Sequence, residues 1–393
     1  MTKKRKLGLL PKVAIAITLG ILFGLFFPDW AVRIFTTFNG LFGNFLGFII
    51  PLLILGLVAP GIAELGRGAG RLLLITVALA YCFTLFSGFF TYFSCNLIYP
   101  SLLQNASSMA VDDASTVAIT APYFNVEMPP LMGVMTALLL AFTLGLGMAV
   151  IDGNTLRTMM NDFRDIINRV IVGVIIPLLP LFIFGIFLEM TAAGKVASVL
   201  GVFIKIIVVI FALTIILLLV QFCIAGLIGK RNPLQSLKTM LPAYITALGT
   251  QSSAATIPVT MAQAIKNRIP ENIAGFVIPL CATIHLSGST LKIVACTLAI
   301  VMTSNIDVTF AQYAGFICML GIAMVAAPGV PGGAIMASIG IIQSMLGFNQ
   351  EAVGLMIALY IAMDSFGTAC NVTGDGAIAI IVHKIAESSK TTC

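Results

Sequence analysis

The chain alternates long apolar runs with short polar breaks. Apolar segments at about 8–28, 38–62, 72–99, 130–151, 167–193 and 196–229 are near the length an α-helix needs to cross a hydrocarbon core. They predict six ordinary spanning helices. Residues 100–129 lapse into a polar loop with Asp112, Asp113 and Glu127. After residue 230 the pattern changes. Segments near 236–265 and 313–347 are apolar but interrupted midway. The first interruption is Gly249-Thr250-Gln251-Ser252-Ser253-Ala254 and the second Pro328-Gly329-Val330-Pro331-Gly332-Gly333. Each predicts two short helices meeting at a tip, a re-entrant hairpin, because non-helical backbone at membrane depth is tolerated only inside protein or beside a wet cavity. Two longer apolar segments, about 271–304 and 351–386, carry polar interruptions of their own. Hairpin, helix, hairpin, helix is a repeat. With halves entering from opposite sides, it has the inverted-repeat logic of secondary transporters. The predicted fold is an all-α membrane protein with eight transmembrane helices and two re-entrant helical hairpins.

Composition agrees. Of 393 residues, 59% are hydrophobic and 9% charged, against roughly 25% charged in soluble domains. Mean hydropathy is +1.09. The net charge of +6 does not indicate nucleic acid, since the basic residues are scattered through short loops. The eight cysteines contain no Cys-x-x-Cys pair and read as small buried hydrophobes. Lys3-Lys4-Arg5-Lys6 precedes an apolar run to Phe27 that is membrane-length and has no small-x-small cleavage site, so it reads as a first transmembrane helix rather than a signal peptide. With both termini inside, the inner ends hold 17 of the 21 lysines and arginines, all but Arg33, Lys195, Lys205 and Lys292. That obeys the positive-inside rule. Lys205, near a helix end, is expected to snorkel, and His383 to be interfacial.

The candidate chemistry lies within the last apolar segments. Asp364, Thr368, Asn371 and Asp375 stand four, three and four residues apart, which puts them on one helix face. Carboxylates at membrane depth are costly, and they persist where they face a cavity, a partner or a cargo. His285, Ser289 and Lys292 form a second stripe on the segment near 271–304. The tips add the hydroxyls of Ser252 and Ser253, helix N-termini that suit a carboxylate, and the pair Gly332-Gly333, which lets backbone approach a ligand. Hydroxyls, helix ends and an amide can hold a carboxylate, and Asp364 can hold an ammonium. An amino acid carries both groups on one carbon.

At these residues the chain resembles the glutamate transporter family, the dicarboxylate/amino acid:cation symporters. Asn371-Val372-Thr373-Gly374-Asp375 matches that family's last-helix motif. Ser252-Ser253-Ala254-Ala255-Thr256-Ile257-Pro258 is similar to its first tip and Gly329-Val330-Pro331-Gly332 to its second. The resemblance implies a homotrimer working as elevators, with the second hairpin as the outer gate. By its helix order, residues 1–71 hold scaffold helices 1–2, and 72–129 hold helix 3 and an extracellular loop. Residues 130–229 hold helices 4–6, part trimerisation scaffold and part transport domain, and 230–393 are the transport core. It also implies that Asp364 binds the substrate ammonium, and that Asn371 and Ser253 bind the α-carboxylate with backbone help near Val330. Ser289 and Thr368 line the pocket, and Asp375 serves the cation chemistry. The partners it implies are a small amino acid or dicarboxylate and the lipid bilayer of the plasma (inner) membrane. No enzyme activity and no bound cofactor is expected beyond Na+ or H+ as coupling ion.

Three departures bear on coupling and selectivity. The family's seventh-helix motif Asn-Met-Asp-Gly-Thr reads here His285-Leu286-Ser287-Gly288-Ser289. A hard cation prefers oxygen ligands, and imidazole is a poor substitute. The family's third-helix sodium residues also lack a clear match in residues 75–81, although Thr283 remains and could help a sodium held by second-hairpin carbonyls. Sodium dependence is therefore expected to be reduced or absent, with protons or exchange in its place, since histidine is the side chain that changes charge between pH 5 and 8. Alternatively, Lys292 is a built-in cation near Asp364 or Asp375. Gly367 replaces the arginine of acidic-substrate members, and Gln251 stands where some members have an arginine. These losses favour neutral cargo, yet Lys292 could reach a side-chain carboxylate as a point charge. Acidic and neutral substrates stay open.

Other classes fit less well. A sodium-coupled neutral amino acid symporter is the nearest alternative. An intramembrane aspartyl protease needs two carboxylates sharing a proton, but Asp364 and Asp375 are separated by about 16 Å of helix at 1.5 Å per residue. A channel would show rings of like charge or a carbonyl filter, whereas here charges are mixed and two hairpins suggest gates.

Overall fold

A computed structural model of the chain describes residues 9–66, 71–103, 121–194, 196–304, 306–325, 327 and 331–390. All regular structure among them is helical. The first half holds α1 (Leu9–Gly24), α2 (Asp29–Gly66), α3 (Arg71–Leu102), α4 (Val134–Val150), α5 (Thr155–Val170), α6 (Ile176–Ala192) and α7 (Val196–Gly229). Among the described residues, six helical stretches are long and apolar enough to cross a membrane: Asp29–Ala63, Leu72–Leu102, Thr155–Ala192, Val199–Gly229, Glu271–Thr303 and Asp364–Glu387. The predicted segments at 8–28 and 130–151 are shorter as helices, 16 and 17 residues. The loop of 100–129 lies partly outside the described residues, and Asp112 and Asp113 with it.

Local sequence explains one irregularity. Residues Ile171–Ile175 widen into a π-helical turn between α5 and α6. Pro177 lacks an N–H and its ring crowds the carbonyl four residues back, at Gly173, and the wider turn absorbs that mismatch. Lys205 is half-buried. Its Nζ donates to the Leu102 carbonyl at 2.9 Å, closing the C-terminal end of α3.

The second half is built from four helix pairs, each broken near its middle: α8 (Pro233–Thr250) with α9 (Ser253–Lys266), α10 (Glu271–Ile284) with α11 (Ser287–Thr303), α12 (Phe310–Val325) with α13 (Gly333–Leu346), and α14 (Gln350–Ala362) with α15 (Asp364–Lys390). α8 packs along α9 and α12 along α13, whereas α14 and α15 touch little. α15 lies at the centre, packed against α7, α8, α9, α10 and α11. α11 is buried at every residue from Ser287 to Val301, whereas α3 leaves Leu74, Phe86, Phe93 and Leu97 exposed. Leu97, Val150 and Leu227 project outward from α3, α4 and α7, an apolar exterior that suits lipid.

The α7–α8 and α9–α10 connections are tied together. The Arg231 guanidinium donates to the carbonyls of Asn267 and Arg268, and Asn267 donates to the Ser236 carbonyl at 3.0 Å. Lys230, Arg231, Lys266 and Arg268 line one polar recess there, so these four cations of the predicted inner loops share one end of the molecule.

Candidate functional site

Each break has its own cause. At the first tip, Gln251 closes α8 in a left-handed conformation (φ 54°), its N–H on the Ala247 carbonyl. Ser252 then caps α9, its Oγ accepting from Ala255 N. The Ser252 hydroxyl, expected to reach cargo, is thus used on the helix. Ser253, the first residue of α9, is buried at the cavity described below.

At the second break α10 stops at His285 and α11 restarts at Ser287. The predicted stripe His285, Ser289, Lys292 therefore does not run along one continuous helix. No glycine or proline forces this interruption; α15 supplies the support. Asn371 Oδ1 accepts from the N–H groups of Gly288 at 2.7 Å and Ser289 at 3.3 Å. It satisfies the open N-terminus of α11 as a capping side chain would. Asn371 Nδ2 donates to Ser289 Oγ at 3.0 Å, and the Tyr360 hydroxyl donates to the same oxygen at 3.2 Å.

At the third break Gly332 adopts φ 77° just before α13, a conformation that glycine takes without steric cost. Its N–H donates to Asp364 Oδ2 at 2.7 Å. Gly333 begins the helix and is buried. Val330, expected to offer backbone to a substrate, lies outside the described residues. At the fourth break Met363 ends α14 and Asp364 begins α15.

All four breaks converge on one small cavity of about 30 Å³. Gln251 and Ser253 come from the first, Thr283, Leu286 and Ser289 from the second, Ala327 and Ala334 from the third, and Tyr360, Asp364, Thr368 and Asn371 from the fourth. Thr368 Oγ1 donates to the Asp364 carbonyl at 3.0 Å. Thr283 donates its hydroxyl to the Leu280 carbonyl at 2.7 Å.

Two ion pairs bracket this cavity. Lys292 Nζ lies 3.1 Å from Asp364 Oδ1 and donates to the Met363 carbonyl at 3.3 Å. It sits 3.8 Å from the centre of the Tyr360 ring, a cation–π contact. His285 Nδ1 lies 2.9 Å from Asp375 Oδ1, with both side chains fully enclosed. Lys292 therefore pairs with Asp364, and Asp375 takes the histidine. The two carboxylates serve different partners and form no dyad. His383, expected at the interface, is half-buried near the end of α15.

Two contributors, Tyr360 and Gln221, escaped the sequence reading. Tyr360 is an aromatic in an apolar run. Gly367 makes room for Lys292, since a Cβ there would lie 2.2 Å from Lys292 Cε. Gln221, a lone amide in the apolar α7, donates to Ser287 Oγ at 3.1 Å, and the Ser287 carbonyl accepts from Ser87. Of these, Gln221 carried a usable signal: an amide amid hydrocarbon residues asks for a partner.

A model of the sodium:dicarboxylate symporter family matches residues 9–385. The chain belongs to that family. The serine/threonine transporter SstT of Streptococcus suis (strain 05ZYH33) is 27% identical over 341 residues, covering 84% of this chain and 94% of the relative. Family membership makes the chain a multi-pass membrane carrier, a secondary transporter of the amino-acid and dicarboxylate class. The match takes in every broken pair around the cavity.

Proposed function

We propose that the chain carries a small carboxylate-bearing solute, an amino acid or a dicarboxylate, across the plasma membrane as a homotrimer of elevator-type subunits, with both termini cytoplasmic. The observation that carries this reading is the meeting of four helix breaks at one cavity. Broken helices turn backbone dipoles and unpaired polar groups toward a common point, which is how transporters of this construction hold an ion or solute at mid-membrane. α8–α9 and α12–α13 act as re-entrant hairpins, the second as the outer gate. The Gly332 N–H on Asp364 is the closed position of that gate. A cavity of about 30 Å³ admits water but no amino acid, so loading requires the second tip to lift away from Asp364. Residues 230–393 move as the transport core with part of 130–229, against a scaffold that includes 1–71. Residues 72–129 supply helix 3 and the outer loop.

Sodium coupling is reduced or absent, and His285 with Asp375 carries a proton instead. An ionised carboxylate only accepts hydrogen bonds, so the Asp375 contact holds the hydrogen of His285 on Nδ1. Nε2 is then a buried acceptor, and it has no protein partner among the described residues. A second proton at Nε2 leaves the ring anchored to Asp375, which lets the pair load and unload without rearrangement. Serine and threonine, after the streptococcal relative's name, define the neutral-cargo alternative.

Uptake in proteoliposomes tests this. Replacing sodium by potassium at fixed pH is expected to change the initial rate by less than about twofold, and acidifying the outside to accelerate it several-fold. His285→Asn is expected to abolish the acid acceleration. A steep sodium requirement that survives in His285→Asn would contradict the coupling assignment.

A further inference from the structure

We infer that Lys292 supplies the positive charge that an amino-acid cargo would otherwise bring, so that the site selects carboxylates lacking an α-ammonium group. This rests on the reading of the four-break cavity as the cargo site, and it names the specificity-determining residue within it.

The seat of Lys292 is complete without a ligand. Its side chain is fully buried. An ammonium has three N–H donors, and Nζ faces three groups: Asp364 Oδ1 at 3.1 Å, the Met363 carbonyl at 3.3 Å and the Tyr360 ring at 3.8 Å. The Met363 carbonyl belongs to the end of α14, where the helix dipole favours a cation. The seat is also shaped. A Cβ on Gly367 would lie 2.2 Å from Lys292 Cε and 2.4 Å from Nζ, so the missing side chain at 367 is what admits the lysine.

Asp364 is correspondingly occupied. Oδ1 holds Lys292, and until the second tip lifts, Oδ2 accepts the Gly332 N–H at 2.7 Å. Among the residues lining the cavity Asp364 alone carries a charge, and it is paired. A cargo ammonium would have to share this carboxylate with a like charge at hydrogen-bond distance, or displace Lys292 and leave a buried ammonium without its counter-ion. Either costs roughly a hundredfold or more in affinity. A carboxylate meets the reverse situation. Ser253 stands at the N-terminus of α9, Asn371 Nδ2 and the Ser289 hydroxyl offer hydrogens, and Lys292 offsets the charge of Asp364. With Asp364 neutralised by Lys292, these hydrogen-bond donors favour a carboxylate with no amine.

Succinate and aspartate differ by one amino group, and serine is a neutral amino acid. Calorimetric binding of the three to the full chain in nanodiscs, at the pH of fastest uptake, tests the assignment. The wild type is expected to bind succinate at least about tenfold tighter than aspartate or serine. Lys292→Met is expected to reverse the order, with aspartate gaining and succinate losing about tenfold each. Should Lys292→Met fail to fold, the pair-neutral variant Lys292→Met/Asp364→Asn is expected to bind succinate and aspartate alike. Preference of the wild type for aspartate or serine overturns the inference and leaves the carrier reading standing, as does a ratio unmoved in whichever variant folds. Binding of none of the three by the wild type overturns both.

Discussion

Asp364→Asn is expected to be the most damaging single substitution in the polar core, costing about 3–5 kcal/mol of stability. The neutral amide keeps the shape of the site, and its oxygen still accepts the Gly332 N–H. What it removes is the counter-ion of Lys292, whose side chain is fully enclosed. An ammonium left at that depth with one carbonyl and one aromatic face is an uncompensated buried charge, and breaking such a pair costs far more than the pair contributes when intact. The double variant Asp364→Asn/Lys292→Met should therefore be more stable than Asp364→Asn alone, recovering most of the loss. Thermal unfolding of the four proteins in one detergent measures this as a double-mutant cycle. Additive losses would show that Lys292 and Asp364 are not coupled, and with that the tethered-cation interpretation would fail.

Gly288→Ala is the second substitution with a large expected effect, about 2–3 kcal/mol of stability with uptake near background. At Gly288 the backbones of α11 and α15 touch. A Cβ there would lie 2.6 Å from the Gly367 carbonyl oxygen and 2.5 Å from Cys370 Cβ. Neither atom is the free end of a flexible side chain, so the helices must separate. Separation lengthens the 2.7 Å bond from Gly288 N to Asn371 Oδ1 and opens the N-terminus of α11. It also disturbs Ser289, which depends on Asn371. Gly275→Ala in α10 is the control. Its Cβ meets nothing within 4 Å, and alanine improves a helix by up to ~1 kcal/mol. Equal stability and uptake in both variants would show that the α11–α15 contact does not set the site geometry.

The legible parts of this fold were those governed by local chemistry. Apolar run lengths located most helices, and the glycines, prolines and serines at 249–254 and 328–333 marked two of the four breaks. The other two, at His285-Leu286 and Met363, contain neither glycine nor proline. Their causes are tertiary: Asn371 satisfies the start of α11, and the Met363 carbonyl receives Lys292. Pro242, Pro258 and Pro279, by contrast, lie within helices that continue through them. Helical spacing put Asp364, Asn371 and Asp375 on one face of α15, and all three are buried there. Spacing gave no means of deciding which carboxylate meets Lys292. That depends on the break at 285–286, which aims His285 at Asp375 and leaves Lys292 for Asp364. Tyr360 went unnoticed because its role, a ring face, exists only once Lys292 is in place.

The central claim is that cargo binds where the four breaks meet. The most direct test is a crystallographic or electron-microscopy map of the full chain in lipid with bound bromosuccinate, located by its bromine. The expected result is one site between Ser253, Ser289 and Asn371, with the Gly332 N–H lifted from Asp364. Bromine density outside this cavity, with Gly332 still seated on Asp364 and the space among those three residues unchanged, would contradict it.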